Sequence, residues 1–167
     1  MPRPMTAADL DRVLEINEAN VPEVGSLDRD RLHHLFAQAT IALVETGATE
    51  PSAEIVGFCL VFAADADYDS ENFLWFVERD PSTMYLDRVA FDASAIGRGL
   101  GTAMYDEVAR VLAERHPAAS TWTLEVNVDP PNERSLAFHR GLGFVEVGRR
   151  MSKGIEVSLM ERQLDGS

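Results

Sequence analysis

The sequence predicts an α/β fold in which a mixed, mostly antiparallel sheet contains one parallel strand–helix–strand unit. Apolar residues recur at helical spacing near the N-terminus, and two short apolar runs bounded by turn residues follow them. Between residues 83 and 128 a strand pattern, a glycine-rich turn, an amphipathic stretch and a second strand pattern come in succession. A strand–helix–strand connection of this kind is expected to be parallel and right-handed.

Length and composition predict one domain, residues 1–167, with its own hydrophobic core. The formal net charge of −13 makes nucleic acid and anionic membranes unexpected partners, because an acidic surface repels phosphate groups. The same charge suits a cationic small-molecule or peptide partner, and equally suits solubility alone. The longest apolar run is too short to span a bilayer, no secretory signal is evident, and the single cysteine cannot form an intrachain disulfide, so a cytoplasmic protein is expected.

Two amphipathic helices are predicted at the N-terminal end. The first covers residues 6–20, begins at Thr6 as its N-cap, and has an apolar face formed by Leu10, Val13, Leu14 and Ile16. The second covers residues 26–39, begins at Ser26 as its N-cap, and is expected to bury Leu32, Leu35 and Phe36.

Two strands are predicted next, at residues 40–46 and 54–63, with a hairpin loop at 47–54 that contains Gly and Pro. The acidic segment 63–82 is compatible with a short helix from Ser70 and carries the aromatic residues Tyr68, Phe73, Trp75 and Phe76. These rings cover either a binding site or the edge of the core, and the sequence leaves both interpretations open.

The remaining elements follow the order expected for a parallel unit and a closing hairpin. A strand at 83–91 leads through the glycine turn to a helix at 101–115, whose apolar face consists of Leu100, Met104, Val108, Val111 and Leu112. A strand at 120–128 and a short helix at 130–142 come next. In the closing hairpin, residues 144–164, Ile155, Val157 and Leu159 alternate with Glu156 and Ser158, as in a half-buried strand.

The turn IGRGLG, residues 96–101, places three glycines at the start of a helix. The first backbone N–H groups of a helix lack internal partners, and bare backbone lets a phosphate approach them closely. The spacing excludes a P-loop, since no Gly-Lys-Ser/Thr follows, and excludes a Rossmann dinucleotide site, since the glycines read G-x-G-x-G.

This turn resembles the acyl-CoA pyrophosphate loop of the GNAT acetyltransferase superfamily, written Q/R-x-x-G-x-G/A, with Ile96 where Gln or Arg is usual. Downstream, Asn132, Ser135 and His139 followed by LGF resemble the superfamily's Asn, small residue, Tyr and Gly-Phe, with His139 in the place of Tyr. The two motifs cover about residues 83–145, and the chain resembles a bacterial subgroup of predicted acetyltransferases within that superfamily.

The resemblance implies a single GNAT domain, with acceptor-side elements at about 1–82, an acetyl-CoA-binding core at about 83–145 and the closing hairpin. It implies transfer of the acetyl group of acetyl-CoA to an amine of a small molecule or peptide, by direct attack in a ternary complex. A bulge in the strand before the glycine turn is expected to turn backbone N–H groups towards the cofactor. The residues implied to bind it are Val89, Ala90, Phe91, Ile96, Gly97, Arg98, Gly99, Leu100, Gly101, Thr102, Asn132, Ser135 and Phe138.

The reaction needs a base, because an amine is mostly protonated at neutral pH. Asp87 and Glu125 are candidates, since each is a carboxylate inside an apolar strand pattern, where an unused and unpaired charge is costly. Each could instead form a structural pair with Arg88 or another arginine, or face solvent. His139 is the candidate acid for the departing thiolate, and its alternative role is to help end the helix near Gly141.

The acceptor is expected to enter between the N-terminal helices and the aromatic segment around Tyr68–Phe76. A non-catalytic acyl-CoA-binding sensor with the same fold is the alternative function, and a homodimer through the edge of the closing hairpin is a further hypothesis. No metal site is predicted, because His33 and His34 have no Cys or carboxylate at ligand spacing.

Overall fold

The computed structural model describes residues 1–47 and 54–164. Strands and helices alternate irregularly along the chain, and two short 3₁₀ turns lie at Ala7–Asp9 and Ala93–Ala95. In chain order the elements are β1 (Pro2–Pro4), α1 (Leu10–Ala19), α2 (Arg29–Gln38), β2 (Ile41–Glu45), β3 (Gly57–Ala63), α3 (Glu71–Arg79), β4 (Thr83–Phe91), α4 (Leu100–Arg115), β5 (Thr121–Asp129), α5 (Glu133–Gly141), β6 (Val145–Ser152) and β7 (Ile155–Gln163).

The strands form one sheet in the order β1-β2-β3-β4-β5-β7-β6, antiparallel except between β4 and β5. The mixed sheet with one parallel unit, predicted from the sequence, is therefore confirmed. The parallel ladder runs only from Thr83–Tyr85 on β4 to Thr121–Thr123 on β5. Beyond Tyr85 and Thr123 the two strands are not paired, so the sheet is open at its centre.

A β-bulge interrupts β4 at the start of this opening. Leu60 on β3 pairs with Arg88, whereas the next residue, Val61, pairs with Leu86, so Asp87 is the extra residue on β4. The expected bulge is thus present, two residues before Val89. A bulge re-aims the side chains and backbone that follow it, which places the end of β4 at an angle to its neighbours.

Helices cover both faces of the sheet. On one face α1, α2 and α3 bury Val13, Ile16, Leu32, Leu35, Phe73 and Phe76 against Phe58, Phe62 and Tyr85. On the other face α4 and α5 bury Met104, Val108, Leu112 and Leu136 against Cys59, Met84, Trp122 and Leu124. Burial raises the pKa of the Cys59 thiol to about 12, so this cysteine behaves as a small apolar core residue. Among the described residues no helix is long and apolar enough to cross a membrane.

The start of the second helix differs from the prediction. The N-cap of α2 is Asp28, whose Oδ1 accepts a hydrogen bond of 2.7 Å from the Arg31 N–H. Ser26, the predicted cap, instead donates its hydroxyl to Glu18 at 2.8 Å. Both residue types cap helices well, so local chemistry alone did not decide between positions two residues apart.

The alternation expected in the last strand is also wrong. Ser158 on β7 is fully buried, although the sequence pattern places it towards solvent. The reason is that both faces of β7 are covered: Val157 and Leu159 pack in the core on one side of the sheet, and Met160, which shares a face with Ser158, packs in the core on the other side. The Ser158 hydroxyl is satisfied there by donating to Glu146 at 2.6 Å. The sheet edge is β6 rather than β7, and self-association through it stays a prediction.

The aromatic segment contains a helix, α3, whose N-cap Ser70 accepts from the Phe73 N–H at 3.4 Å. Phe73 and Phe76 are core residues with 1% exposure, which supports the interpretation that the segment covers the core. Tyr68 has a different role, described below. The predicted hairpin loop at 47–54 lies outside the described residues apart from its two end positions.

Candidate active site

A cleft of about 450 Å³ lies on the α4 and α5 side of the opening between β4 and β5. The end of β4, the glycine turn, the first turn of α4 and helix α5 form its walls. Twelve of the thirteen predicted cofactor-binding residues line it, together with His139: Val89, Ala90, Phe91, Ile96, Gly97, Gly99, Leu100, Gly101, Thr102, Asn132, Ser135 and Phe138. Residues separated by up to 50 positions in sequence therefore meet at one site.

Arg98 is the predicted residue that does not line the cleft. Its guanidinium donates a hydrogen bond of 2.7 Å to the Gly47 carbonyl, at the end of β2. The side chain therefore ties the glycine turn to the neighbouring connection.

The three glycines of the turn differ in why glycine stands at each position. Gly97 and Gly99 have φ of +76° and +74°, and a Cβ at either position would meet no atom within 4 Å. Their backbone conformation, rather than crowding, requires glycine. Gly101 has no such conformation, and a Cβ there would lie 3.7 Å from Phe138 and 3.9 Å from Phe91, at ordinary contact distance. Neither its backbone conformation nor crowding requires glycine at position 101, which lines the cleft.

The glycine turn presents a helix N-terminus to the cleft. Gly99 is the N-cap of α4 and provides no side-chain cap, so the first N–H groups of the helix are available to an anion. Sequence reasoning missed Arg134, which supplies a positive charge to the cleft wall from the first turn of α5. Its position two residues after Asn132, at the start of the same predicted helix, was the signal that could have found it.

The cleft floor contains a Tyr105–His139 pair that sequence reasoning also missed. His139 Nδ1 lies 2.7 Å from the Ser135 carbonyl, so it must carry the ring proton. Nε2 then accepts from the Tyr105 hydroxyl at 2.6 Å. Tyr105 lies four residues after Gly101 on α4, which places both on one helix face.

This geometry does not present a proton of His139 to the cleft. Burial lowers the pKa of the imidazole, with the Ser135 carbonyl acting in the opposite direction, so the ring is neutral at pH 7. The His139 carbonyl accepts from the N–H groups of Leu142 and Phe144 just after α5, a main-chain contact that any residue could make, so the helix-ending role of His139 also stays a prediction. The acid role of His139 stays a prediction that these contacts do not favour.

Replacing His139 with Gln is expected to lower the free energy of unfolding by about 1–3 kcal/mol, because Tyr105 and the ring contacts lose a buried partner. Urea denaturation would measure the loss, and Tyr105→Phe, which removes only the hydroxyl, should cost less. A drop in kcat at saturating substrates, in protein shown to be folded, would instead support the acid role.

On the opposite face of the sheet, Asp87 and Glu125 each lie two residues beyond the last paired residues of β4 and β5. Asp87 forms an ion pair with Arg88, whose Nε lies 2.6 Å from Oδ2, and its Oδ1 accepts from the Tyr68 hydroxyl. Arg88 also donates to Asn17 Oδ1 at 2.9 Å. Asp87 therefore has the structural pairing with Arg88 that the sequence left open.

Glu125 is in a different environment. Its carboxylate accepts from the Tyr85 hydroxyl and is not ion-paired with an arginine among the described residues. Burial, and to a smaller extent the negative charge of Asp87, raise its pKa from 4.5 to about 7, against the opposing effects of Tyr85, Asn72 and Arg88. A carboxyl group with this pKa can exchange protons at neutral pH.

No group of three or more His, Cys, Asp or Glu that could hold a metal ion is present in the described part of the chain.

A model of the acetyltransferase (GNAT) family matches residues 10–144. The chain belongs to this family. No curated protein sequence matches it.

Solved structures share the fold of this GNAT chain over almost its whole length. The structure of Ard1 from Thermoplasma volcanium is 18% identical, with 98% of this chain and 97% of that chain covered and a TM-score of 0.76. The ribosomal-protein-S18-alanine N-acetyltransferase from Escherichia coli is 16% identical, with 100% and 95% covered and a TM-score of 0.75. Arabidopsis thaliana NAA60 in complex with acetyl-CoA is 16% identical, with 98% of each chain covered and a TM-score of 0.74.

These findings confirm the resemblance and the fold class predicted from the sequence, and they confirm acetyl-CoA as the cofactor of the family. Membership of the bacterial subgroup stays a prediction. The residues present fit the cofactor, since the helix N-terminus and the open space at the positive-φ glycines Gly97 and Gly99 meet the needs of a pyrophosphate.

Proposed function

We propose that this GNAT protein is an N-acetyltransferase that transfers an acetyl group from acetyl-CoA to an amine, by direct attack in a ternary complex. One observation carries the proposal. A carboxyl group with a pKa of about 7, Glu125, lies where β4 and β5 part, across the sheet from a cleft that fits acetyl-CoA. The sheet opening would let an activated acetyl group meet an amine arriving from the α1–α3 side.

The cofactor supplies an acetyl thioester that is activated for attack. On the protein side, the N–H groups at the start of α4 would hold the pyrophosphate, with Arg134 adding positive charge in a chain of net charge −13. Backbone groups of Val89, Ala90 and Phe91, after the bulge at Asp87, would pair with the pantetheine arm and donate to the thioester oxygen.

Glu125 would act as the base. It takes a proton from the ammonium, and the amine nitrogen then forms a bond to the acetyl carbon as the carbon–sulfur bond breaks and its electron pair leaves on sulfur. The nitrogen also loses a second proton. In the net reaction, an ammonium and a thioester give an amide, a thiol and one proton that is released to solvent. Asp87 is less suited to this step, because its oxygens already accept from Arg88 and Tyr68.

The pKa of Glu125 favours an α-amine over a lysine side chain. An α-amino group has a pKa of about 7.7–8.0, close to that of the base, whereas a lysine amine at about 10.4 would cost roughly 3.5 kcal/mol more to deprotonate. The E. coli neighbour is an alanine N-acetyltransferase, which is consistent with a preference for an α-amine. We therefore place a peptide N-terminus, or a small molecule with a comparable amine, first among the acceptors.

A thermal-shift titration with acetyl-CoA and coenzyme A, followed by a thiol-release assay, tests the function. The assay compares peptides with a free N-terminus against N-blocked peptides that contain lysine. Thiol release with the free N-terminus supports the proposal. Saturable stabilisation without release from any amine would favour the non-catalytic sensor.

Replacing Gly101 with Ala is expected to weaken acetyl-CoA binding by at least about tenfold, because the new methyl group would occupy space that only a ligand uses. The fold should be retained, since alanine in a helix is about 1 kcal/mol more favourable than glycine. Isothermal titration would give the Kd. Gly141→Ala in α5, where nothing lies within 4 Å of a Cβ, is the matched control. Equal affinity of the two variants would refute a cofactor backbone approach at Gly101.

The cytoplasmic location, the lack of nucleic acid and membrane partners, and the homodimer stay predictions from composition and pattern. Entry of the acceptor between the N-terminal helices and the aromatic segment is part of the proposal. It is supported by Tyr68, which reaches Asp87 from that segment, and by Asn17 on α1, which bonds Arg88.

A further inference from the structure

Asn72, in the first turn of α3, is the polar side chain near Glu125 whose contacts are incomplete. It is 3% exposed and contributes a hydrogen bond that favours the charged form of Glu125. Its Oδ1 is buried, and no donor from the described residues reaches it. The donor to Glu125 is Nδ2 of Asn72. Because Nδ2 and Oδ1 belong to one planar carboxamide, the unpaired Oδ1 lies beside the Glu125 carboxylate.

The surrounding donors are already used elsewhere. The Tyr85 hydroxyl donates to Glu125, the Tyr68 hydroxyl donates to Asp87, and Arg88 donates to Asp87 and Asn17. An unpaired buried acceptor costs free energy of folding, and native proteins pair the great majority of such groups with protein, water or a ligand. An N–H group of the amine substrate would supply the hydrogen bond that Asn72 Oδ1 lacks.

The position of Asn72 is firmly held. The N-cap Ser70 fixes the start of α3, and Phe73 and Phe76 anchor the helix in the core with 1% exposure each. A rotation of the helix that would take Oδ1 to solvent would remove both rings from the core. The unpaired Oδ1 of Asn72 is therefore held in place by the packing of α3.

We propose that Asn72 positions the acceptor amine and so selects primary amines. Its Oδ1 accepts one N–H of the nitrogen, while Glu125 takes a different proton from the same nitrogen. A primary amine keeps one N–H in the amide product, and this N–H can stay on Oδ1 throughout the reaction. A secondary amine keeps none, so Oδ1 would lose its partner as the amide forms. This inference rests on the proposed function, and Asn72 is a positioning residue.

The test compares wild type with Asn72→Leu, which keeps the approximate shape and removes the carboxamide. The probes are one peptide with a free primary N-terminus and the same peptide with an N-methylated N-terminus. Wild type should prefer the primary amine by at least about tenfold in kcat/KM, and Asn72→Leu should reduce this preference to within about threefold. The KM for acetyl-CoA should stay the same. Leu74→Ala, at a half-exposed position on the same helix, is the control.

Two readouts do not require turnover. In the presence of coenzyme A, the Kd of the primary peptide should rise about tenfold in Asn72→Leu. Carbon-13 NMR of the glutamate carboxyls, with the Glu125 signal assigned by its loss in Glu125→Gln, should show a higher titration midpoint in Asn72→Leu. An unchanged Kd, an unchanged midpoint or an unchanged preference for the primary amine would each overturn the role of Asn72. Wild type that binds the peptide but releases no thiol would overturn the proposed function instead.

Discussion

Replacing Glu125 with Gln is expected to lower kcat at neutral pH by at least about 100-fold, the usual contribution of a general base. Gln keeps the size of the side chain and can still accept from the Tyr85 hydroxyl, so the pocket is retained. It cannot accept a proton from the ammonium. Steady-state thiol release with the best acceptor of the panel would measure the loss, and the Kd for acetyl-CoA should be unchanged.

The pH profile of kcat/KM for the wild-type enzyme is expected to follow the titration of Glu125. Because the pKa of Glu125 is raised to about 7, the base is increasingly protonated below that pH. In that range kcat/KM should fall about tenfold for each pH unit. The charged groups that act on Glu125 are Asp87 and Arg88. Tyr85 and Asn72 are its hydrogen-bond donors, and none of these four residues is altered in Glu125→Gln. The acidic limb should therefore be absent from the residual activity of that variant.

Glu125→Gln, which lowers activity, should raise the stability of the fold at alkaline pH. Because burial raises the pKa of Glu125 from 4.5 to about 7 in the folded protein, its contribution to stability is fully present below about pH 4.5 and is lost as the pH rises to about 7. Glu125→Gln should therefore melt a few degrees higher than wild type at about pH 8.5 and no higher at about pH 4. A variant that is less stable at both pH values would show that the carboxylate is structural.

Asp87→Asn is the control that separates the two carboxylates. The amide oxygen can still accept from Tyr68, but the ion pair with Arg88 is lost. Its main expected effect is on the free energy of unfolding. If Asp87→Asn removes the acidic limb and Glu125→Gln leaves it in place, the assignment of the base is reversed.

The features that the sequence predicts well depend on local physics. Gly97 and Gly99 were identified because their left-handed backbone is a property of the turn itself. The apolar faces of α1 and α4 were identified because helical spacing alone decides which residues are buried. The family motif then added the cofactor residues, of which all but Arg98 meet in the cleft.

The features that the sequence could not decide depend on what the topology brings together. Asp87 and Glu125 look alike as carboxylates in apolar strands, and only the packing of Tyr68 and Arg88 on one of them separates their chemistry. The partner of His139 is 34 positions away on α4. Ser158 is predicted to face solvent because its alternating pattern cannot reveal that core residues cover both faces of β7.

Replacing Arg88 with Met is expected to destabilise the fold by about 3–5 kcal/mol, because it leaves a buried carboxylate without its partner. The side chains of Arg88 and Asp87 are 8% and 4% exposed, and Arg88 also bonds Asn17 Oδ1 and, at 3.1 Å, the Gly25 carbonyl. Chemical denaturation would measure the loss. Arg110→Met, which breaks exposed pairs with Glu107 and Glu114 on α4, should have a much smaller effect.

The double variant Asp87→Asn with Arg88→Met separates a buried-charge effect from lost packing. If the uncompensated carboxylate causes most of the loss, removing it should recover part of the stability, and the two substitutions will not be additive. Additive losses would show that the contacts of Arg88 to the α1–α2 connection dominate. In that case the variant should also weaken acetyl-CoA binding, since Asn20 and Glu23 of the same connection line the cleft and Asn20 bonds the Phe91 carbonyl at 3.0 Å.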